Sequence, residues 1–199
     1  MKPEERAQEI VRLEGPRVEA LLRAAKKLVK TPMAKAERRV RIIEIADKLS
    51  RAVSPHTHCA QGCSECCHLS LNISGYEARL IEDHTGWKHR ILGRKMGETY
   101  LGLADELRVR FTGMACPFLN PGSCGCSIYP VRPFACRIHH TLANDSTDCR
   151  IRLDERGRAI NPTPTLNFSI VGNASAMIFK GEDFGDIREF FPPDAPHDA

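Results

Sequence analysis

Apolar residues recur at helical spacing through the first quarter of the chain, over residues 3–53. Two dipeptides interrupt the pattern, Gly15-Pro16 and Thr31-Pro32, and proline lacks the amide proton that a helix interior needs. The pattern therefore predicts three helices. The second of them is defined by Val18, Leu21, Leu22, Ala25, Leu28 and Val29.

Helix signals return after residue 73. Ser74 followed by Glu77 forms a capping box, and Gly86 is a typical helix stop, so a helix is predicted between them. A further helical stretch is expected over roughly 88–111, interrupted or kinked at Gly93, Gly97 or Gly102.

The rest of the chain has weaker signals. Residues 113–150 hold many Gly, Pro and Cys with little periodicity, which indicates loops without a core of their own. A short hairpin is expected around Gly157, followed by helices over 165–179 and 184–191.

The composition is typical of a water-soluble chain with 42% hydrophobic and 27% charged residues. No apolar run approaches the roughly 20 residues that a membrane helix needs. The first residues, MKPEERAQEIVRLEG, are charged and lack the apolar segment of a secretory signal. We therefore expect a cytoplasmic location and no membrane partner.

Charge is unevenly distributed. Residues 1–55 hold 14 Lys or Arg and 8 Asp or Glu, a net charge of +6, whereas the remainder holds 15 and 17, a net of −2. A basic region can meet an acidic protein or a nucleic acid. Acidic residues alternate with the bases here, which indicates solvent-exposed helix faces. If these helices bind a partner, a protein is favoured over a nucleic acid.

Nine cysteines are the strongest chemical signal, and they fall into two groups about fifty residues apart. Three interpretations compete: a disulfide framework, a buried apolar stripe and a metal site. The first group is Cys59, Cys63, Cys66 and Cys67. The second group is Cys116, Cys124, Cys126, Cys136 and Cys149.

Two of these interpretations are disfavoured. Disulfides are rare in a reducing cytosol, and nine is an odd number. The first four cysteines would share one face of a helix, but Gln61, Gly62, Ser64 and Glu65 between them are poor material for a core helix. Thiolates are good ligands for soft metals, so the metal site is the preferred interpretation.

The spacing C-x3-C-x2-C-C at residues 59–67, followed by CPFL at 116–119 and CSIYPVRPFAC at 126–136, resembles the CxxCxxCC or YkgJ-type family of zinc- or iron-chelating proteins. The resemblance covers about 59–149. It implies a set of eight metal ligands, with Cys124 as an additional cysteine. Those eight are Cys59, Cys63, Cys66, Cys67, Cys116, Cys126, Cys136 and Cys149.

The resemblance implies iron, as an ion or a [4Fe–4S] cluster, or zinc. Eight thiols suit two four-cysteine centres or one centre with spare thiols. Four cations lie close to Cys136 in the sequence and are expected to stabilise thiolates there, with His140 also a candidate ligand. They are Arg132, Arg137, His139 and His140.

The preferred function is a cytosolic metal-chelating protein. A second hypothesis is an enzyme that modifies a protein side chain with an iron–sulfur centre and S-adenosylmethionine, as a flagellin lysine N-methylase with a similar cluster is thought to do. The residues show no glycine-rich nucleotide loop, and Glu65 stands where radical enzymes usually place an aromatic residue. A third hypothesis is a zinc-stabilised adaptor that binds protein or nucleic acid through basic helices 16–53.

Together these observations predict a mainly α fold in which helices clamp a loop-rich cysteine core. We expect a basic helical extension at 1–55, a cysteine-cluster metal-binding domain at 56–150, a C-terminal helical packing segment at 151–191 and a disordered tail at 192–199.

Overall fold

A computed structural model describes residues 1–59, 61–97, 100–145, 149–150, 152–153, 159–160 and 164–192. The predicted tail, 192–199, lies outside these ranges except for its first residue. The described fold is mainly α, as predicted, and none of its described helices is long and apolar enough to cross a membrane. The helices are α1 (Pro3–Lys30), α2 (Lys35–Val53), α3 (Gly75–Thr85), α4 (Tyr100–Phe111), α5 (Phe134–Ile138), α6 (Ser169–Ile178) and α7 (Ile187–Phe190). The strands are β1 (Asn72–Ser74), β2 (Arg152–Leu153), β3 (Ala159–Ile160) and β4 (Phe184–Asp186).

The chain divides into two compact units. The first unit comprises Met1–Ala60, Arg137–Arg150 and Pro162–Phe179. The second unit comprises Gln61–Cys136, Ile151–Asn161 and Lys180–Ala199. The predicted domain boundaries remain predictions.

Three helices, α1, α2 and α6, pack on one another to form the first unit. Their buried residues follow the apolar periodicity of the sequence. These include Ala25 and Leu28 on α1, Ile42, Ala46 and Leu49 on α2, and Val171, Ala174 and Ile178 on α6.

The predicted break at Gly15-Pro16 is wrong, because α1 runs through both residues. A proline inside a helix loses one backbone hydrogen bond and crowds the preceding turn. Helix α1 nevertheless buries Ile10 before the proline and Leu28 after it. The tertiary packing at both ends offsets the local cost. The second predicted break is confirmed, because α1 ends at Lys30.

A small antiparallel sheet, β1 with β4, organises the second unit and pairs Ile73 with Gly185. Helix α3 follows β1 directly, and the predicted capping box is confirmed. The Glu77 amide donates to Ser74 Oγ at 3.3 Å, and the Ser74 amide donates to Glu77 Oε2 at 2.8 Å. The predicted stop is also confirmed, since Gly86 has a left-handed φ of 74°.

The later elements differ in detail from the predictions. Of the stretch 88–111, the described residues 88–97 are irregular, and helix begins at Tyr100. Of the stretch 184–191, the first three residues form β4 instead, because they pair with β1. The hairpin is confirmed by the antiparallel pairing of β2 with β3, while residues 154–158 lie outside the described part. The helix expected at 165–179 is present as α6 but begins only at Ser169, since residues 165–168 are not helical.

An aromatic cluster lies at the centre of the second unit. Trp87, Phe118 and Phe191 meet edge to face with ring centroids 5.0 to 5.8 Å apart. Phe118 lies in the loop region that was expected to lack a core, so this part of the prediction is wrong. Cys116 belongs to the same buried cluster, and Cys67, Cys126 and other residues pack against it.

Strand β4 is closely packed at Gly185, where the ends of three side chains approach the backbone. A Cβ there would lie 2.4 Å from Leu92 Cδ1 and 2.7 Å from Glu189 Oε2, closer than real Cβ contacts. We expect Gly185→Ala to lower the free energy of unfolding by about 1–3 kcal/mol, as overpacking does. Denaturant unfolding followed by circular dichroism measures this change.

Gly172→Ala is the matched control, because Gly172 lies in helix α6 and a Cβ added there would meet nothing within 4 Å. Alanine is the better helix former by about 1 kcal/mol, so this variant should be as stable as the parent chain or more stable. Equal unfolding midpoints for the two variants would contradict the close packing at β4.

Candidate metal centre

The first cysteine loop is held by a single turn of 3-10 helix, Glu65–His68. Cys66 is exposed, while Cys63 and Cys67 are half-buried. The Cys67 carbonyl accepts a hydrogen bond of 2.8 Å from the Cys116 amide. The backbone therefore joins the first cysteine loop directly to the second.

A tight backbone turn brings Cys116 and Cys126 together. Leu119 forms an isolated antiparallel bridge with Cys126, and the Leu119 amide donates to the Cys116 carbonyl at 3.0 Å. Cys124 lies at the tip of this turn, exposed and with a positive φ of 53°. The additional cysteine is thus set apart from the two buried or half-buried cysteines of the turn.

Cys136 is placed by helix α5. The Phe134 amide at the start of α5 donates to Glu77 Oε1 at 2.7 Å, in a buried contact. The same carboxylate caps α3 through its other oxygen. One buried glutamate therefore fixes the starts of two helices, and the second of them carries a predicted metal ligand.

The adjacent thiols of the first loop are coupled. A side-chain hydrogen bond between Cys66 and Cys67 raises the pKa of Cys66 well above its usual value and lowers the pKa of Cys67 to about 7. Neighbouring charge on Cys136 and Cys63 raises the pKa of Cys66 further. The pair therefore favours a single thiolate on Cys67 at neutral pH.

Burial opposes ionisation of the other thiols. It raises the pKa of Cys116 to about 12 and raises that of Cys126, and in both cases the charge of Cys67 adds to the effect. Cys136 is partly exposed as a residue, but its thiol is buried, and this raises its pKa well above the usual value. Thiols so close together need a cation to ionise together.

Arg188 connects the two cysteine loops from α7. Its side chain is buried, and its guanidinium lies close enough to Cys67 and Cys116 to lower the pKa of both. It donates to four backbone carbonyls, which belong to Cys67 and Leu69 of the first loop and to Met114 and Ala115 just before Cys116.

Asp186 completes this network. Its Oδ1 accepts from Arg188 Nη1 at 2.9 Å, and its Oδ2 accepts from the Leu71 amide at 2.7 Å and from Ser70 Oγ at 3.0 Å. Asp186 also caps α7 in a capping box with Glu189. Neither Asp186 nor Arg188 was predicted from the sequence. The D-x-x-E spacing signals a helix start, but no local pattern reveals the contacts of Arg188.

Arg132 is the second cation beside the thiols. Its guanidinium lies over the Tyr129 ring at 4.4 Å from the centroid, and its charge lowers the pKa of Cys126 and Cys136 against the effect of burial. This agrees with the expectation that Arg132 offsets thiolate charge.

The remaining predicted ligands belong to the first unit. Cys59 Sγ accepts a hydrogen bond from the Thr141 amide at 3.3 Å, and Cys149 Sγ lies 3.8 Å from the Asp145 carbonyl. The structure therefore groups six of the eight cysteines in the second unit and two in the first.

Two of the predicted cations near Cys136 have partners within the first unit. Arg137 pairs with Asp47. His140 is buried, with Nε2 3.0 Å from Ser50 Oγ and Nδ1 3.3 Å from Thr57 Oγ1. Both ring nitrogens of His140 thus have hydroxyl neighbours, which argues against its role as a ligand. Burial lowers the pKa of His139, so this histidine is a poor source of positive charge at neutral pH.

Several bases of the N-terminal helices pair with acids on the same helix. Arg12 contacts Glu9 at 2.6 Å, and Arg41 contacts Glu37 at 2.8 Å. Such exposed pairs reduce local charge and are typical of solvated helix faces. A partner for these helices remains a prediction.

Within the described residues, no three His, Cys, Asp or Glu side chains already form an arrangement that would hold a metal ion. The donor set nevertheless matches a thiophilic metal in kind. Thiolates are soft ligands, and a bound cation would favour ionisation of the thiols whose pKa values burial raises. The residues that would hold it are Cys63, Cys66, Cys67, Cys116, Cys126 and Cys136.

Arg188→Met tests the network between the loops. The side chain of Arg188 is 4% exposed, and its loss leaves Asp186 buried without a cation. We expect the free energy of unfolding of the metal-free protein to fall by about 3–5 kcal/mol, as for other broken buried ion pairs. Denaturant unfolding in the presence of a chelator measures this effect apart from metal binding.

Arg79→Met is the control, since Arg79 contacts Glu182 at 2.8 Å with a side chain that is 50% exposed. An exposed pair of this kind contributes about 1 kcal/mol or less. A loss in Arg188→Met no larger than that in Arg79→Met would show that the buried network does not hold the loops.

A search of curated proteins found no match, and a search of solved structures found none. The family model CxxCxxCC, described as a "putative zinc- or iron-chelating domain", matches residues 58–158. This range is just over half of the chain and includes all nine cysteines. The chain therefore belongs to the CxxCxxCC family.

Proposed function

We propose that the protein is a cytosolic metal-chelating protein whose second unit binds iron or zinc through six cysteines. The observation that carries the proposal is that Cys67 of the first loop and Cys126 of the second pack against the same buried cluster, to which Cys116 belongs. The six cysteines are Cys63, Cys66, Cys67, Cys116, Cys126 and Cys136.

The surroundings of the thiols support this role. Arg188 lowers the pKa of Cys67 and Cys116, and Arg132 that of Cys126 and Cys136, in each case against the effect of burial. The backbone between Cys67 and Cys116 is already hydrogen-bonded, so ligands from both loops are held near one another before any metal binds.

A bound metal would supply a cross-link between the loops and, in the case of iron, an electron that can be gained or lost. The chain's own residues perform the remaining work. Arg188 orients the two loops, Glu77 places α5 with Cys136, and the aromatic cluster excludes water from one side of the thiols.

Cys59 and Cys149 complete the eight-cysteine pattern of the family and remain predicted ligands. The protein-modifying enzyme and the adaptor that binds through basic helices also remain predictions. The described cysteine site supports chelation without either of them.

Elemental analysis of protein purified without oxygen tests the proposal. We expect bound iron or zinc in the parent chain, and loss of most of this metal in Cys67→Ser and Cys136→Ser. Acid-labile sulfide and a visible spectrum distinguish the metals, because an iron–sulfur cluster contains sulfide and absorbs visible light, whereas zinc is colourless.

Cys124→Ser is the matched control, since Cys124 is exposed at the tip of its turn. It should keep the full metal content. A parent chain without metal, or equal metal in all three variants, would contradict the proposal.

A further inference from the structure

Glu77 places a carboxylate in the interior of the second unit. The residue is 5% exposed, and burying a carboxylate is costly unless its oxygens accept hydrogen bonds. Oε2 accepts from the Ser74 amide at 2.8 Å and from Ser74 Oγ at 2.7 Å, while Oε1 accepts from the Phe134 amide at 2.7 Å. The two oxygens thus bind two segments of the chain that lie 57 residues apart in sequence.

The Ser74 side of this contact belongs to regular structure. Ser74 is fully buried, it ends strand β1, and it pairs with Phe184 of β4. The Glu77 amide donates back to Ser74 Oγ at 3.3 Å, which closes the capping box of the eleven-residue helix α3. Glu77 is therefore fixed to the sheet on one side.

The Phe134 side has fewer constraints of its own. Helix α5 has only five residues, too few for a helix to be stable by itself. Phe134 is buried, and its amide is among the first of the helix, which have no acceptor within the helix. A buried amide without an acceptor is costly. The Glu77 carboxylate supplies that acceptor and so fixes where α5 begins.

Cys136 moves with this helix start. It lies two residues beyond Phe134 in α5, a rise of about 3 Å along the helix axis. In so short a helix, any displacement or unwinding of the first turn displaces the thiol as well. One side chain from a different segment thus sets the position of this candidate ligand relative to the sheet.

Resting on the proposed metal function, we propose that Glu77 is the positioning residue for Cys136. Its role extends beyond capping α3, because it fixes a candidate ligand on one segment to the sheet formed by two others. The affinity for metal therefore depends on a buried carboxylate that is not itself a predicted ligand.

The arrangement requires a carboxylate and not merely a side chain of this size. Each oxygen of Glu77 faces at least one backbone amide, and a backbone amide can only donate. Glutamine has a single acceptor oxygen, so in either orientation its amino group would meet a donor. Because α5 is the shorter helix and α3 adjoins the sheet, we expect Glu77→Gln to release α5 while α3 persists.

Zinc titration and thiol alkylation of the full chain test the proposal. Glu77→Gln should weaken zinc binding by about 10–100-fold, the range for residues that orient metal ligands. In the metal-free variant, iodoacetamide should alkylate Cys136 about tenfold faster than in the parent chain, as loss of one buried hydrogen bond predicts. Peptide mass spectrometry locates the modified cysteine. Cys124, which is exposed at the tip of its turn, should react at an unchanged rate.

Ser74→Ala is the matched control. It removes the Oγ contacts of the capping box, but the backbone amides of residues 74 and 134 still donate to Glu77. This variant should be less stable than the parent chain, with unchanged zinc affinity and unchanged alkylation of Cys136. Equal changes in Glu77→Gln and Ser74→Ala, or no change in Glu77→Gln, would overturn the positioning role.

Hydrogen exchange of the metal-free parent chain provides a test that needs no variant. The Phe134 amide should exchange at least about tenfold more slowly than an unprotected amide. Free exchange at Phe134 while the amides of α3 stay protected would overturn the positioning role and leave the chelating function intact. A parent chain that binds no zinc or iron would instead overturn the chelating function, and with it the assignment of Cys136 as a ligand.

Discussion

The second unit depends on one buried ion pair, Arg188 with Asp186. Neither residue is a candidate ligand, yet Arg188 donates to carbonyls on both cysteine loops, and Asp186 accepts from the segment between the first loop and β1. A buried charge pair is stable only when its remaining hydrogen-bonding groups are satisfied. The two loops supply those groups, so the ion pair and the loop positions require each other.

Helix α7 therefore bears on metal binding in two ways, because Arg188 both positions the cysteine loops and supplies positive charge beside them. The guanidinium that holds the Cys67 and Cys116 segments also lowers the pKa of both thiols. Burial acts in the opposite direction on Cys116. A cation fixed within the protein thus offsets part of the cost of gathering thiolates, and a bound metal would offset the rest. The family model ends at residue 158, so the element that supports the ligands lies outside it.

Local signals in the sequence predicted local structure well. Ser74, Glu77 and Gly86 define α3 because a capping box and a left-handed glycine act within a few residues. The cysteine spacing predicted the family for the same reason. Gly15-Pro16 gave a wrong prediction because packing at both ends of α1 outweighs one lost hydrogen bond. Arg188 was beyond prediction, since its partners at Cys67 and Met114 are 121 and 74 residues away.

The aromatic cluster changes what a metal would do for this protein. A loop-rich cysteine domain without a core would depend on metal to fold, as small zinc domains do. Here Trp87, Phe118 and Phe191 form a core next to the thiols, and the loop backbones are hydrogen-bonded to each other. Part of the conformational entropy that the loops lose when they become ordered is therefore offset before metal binds. More of the intrinsic binding energy then remains as affinity, because less of it is used to order the loops. A chelator should accordingly loosen the cysteine loops while the aromatic core and α3 persist.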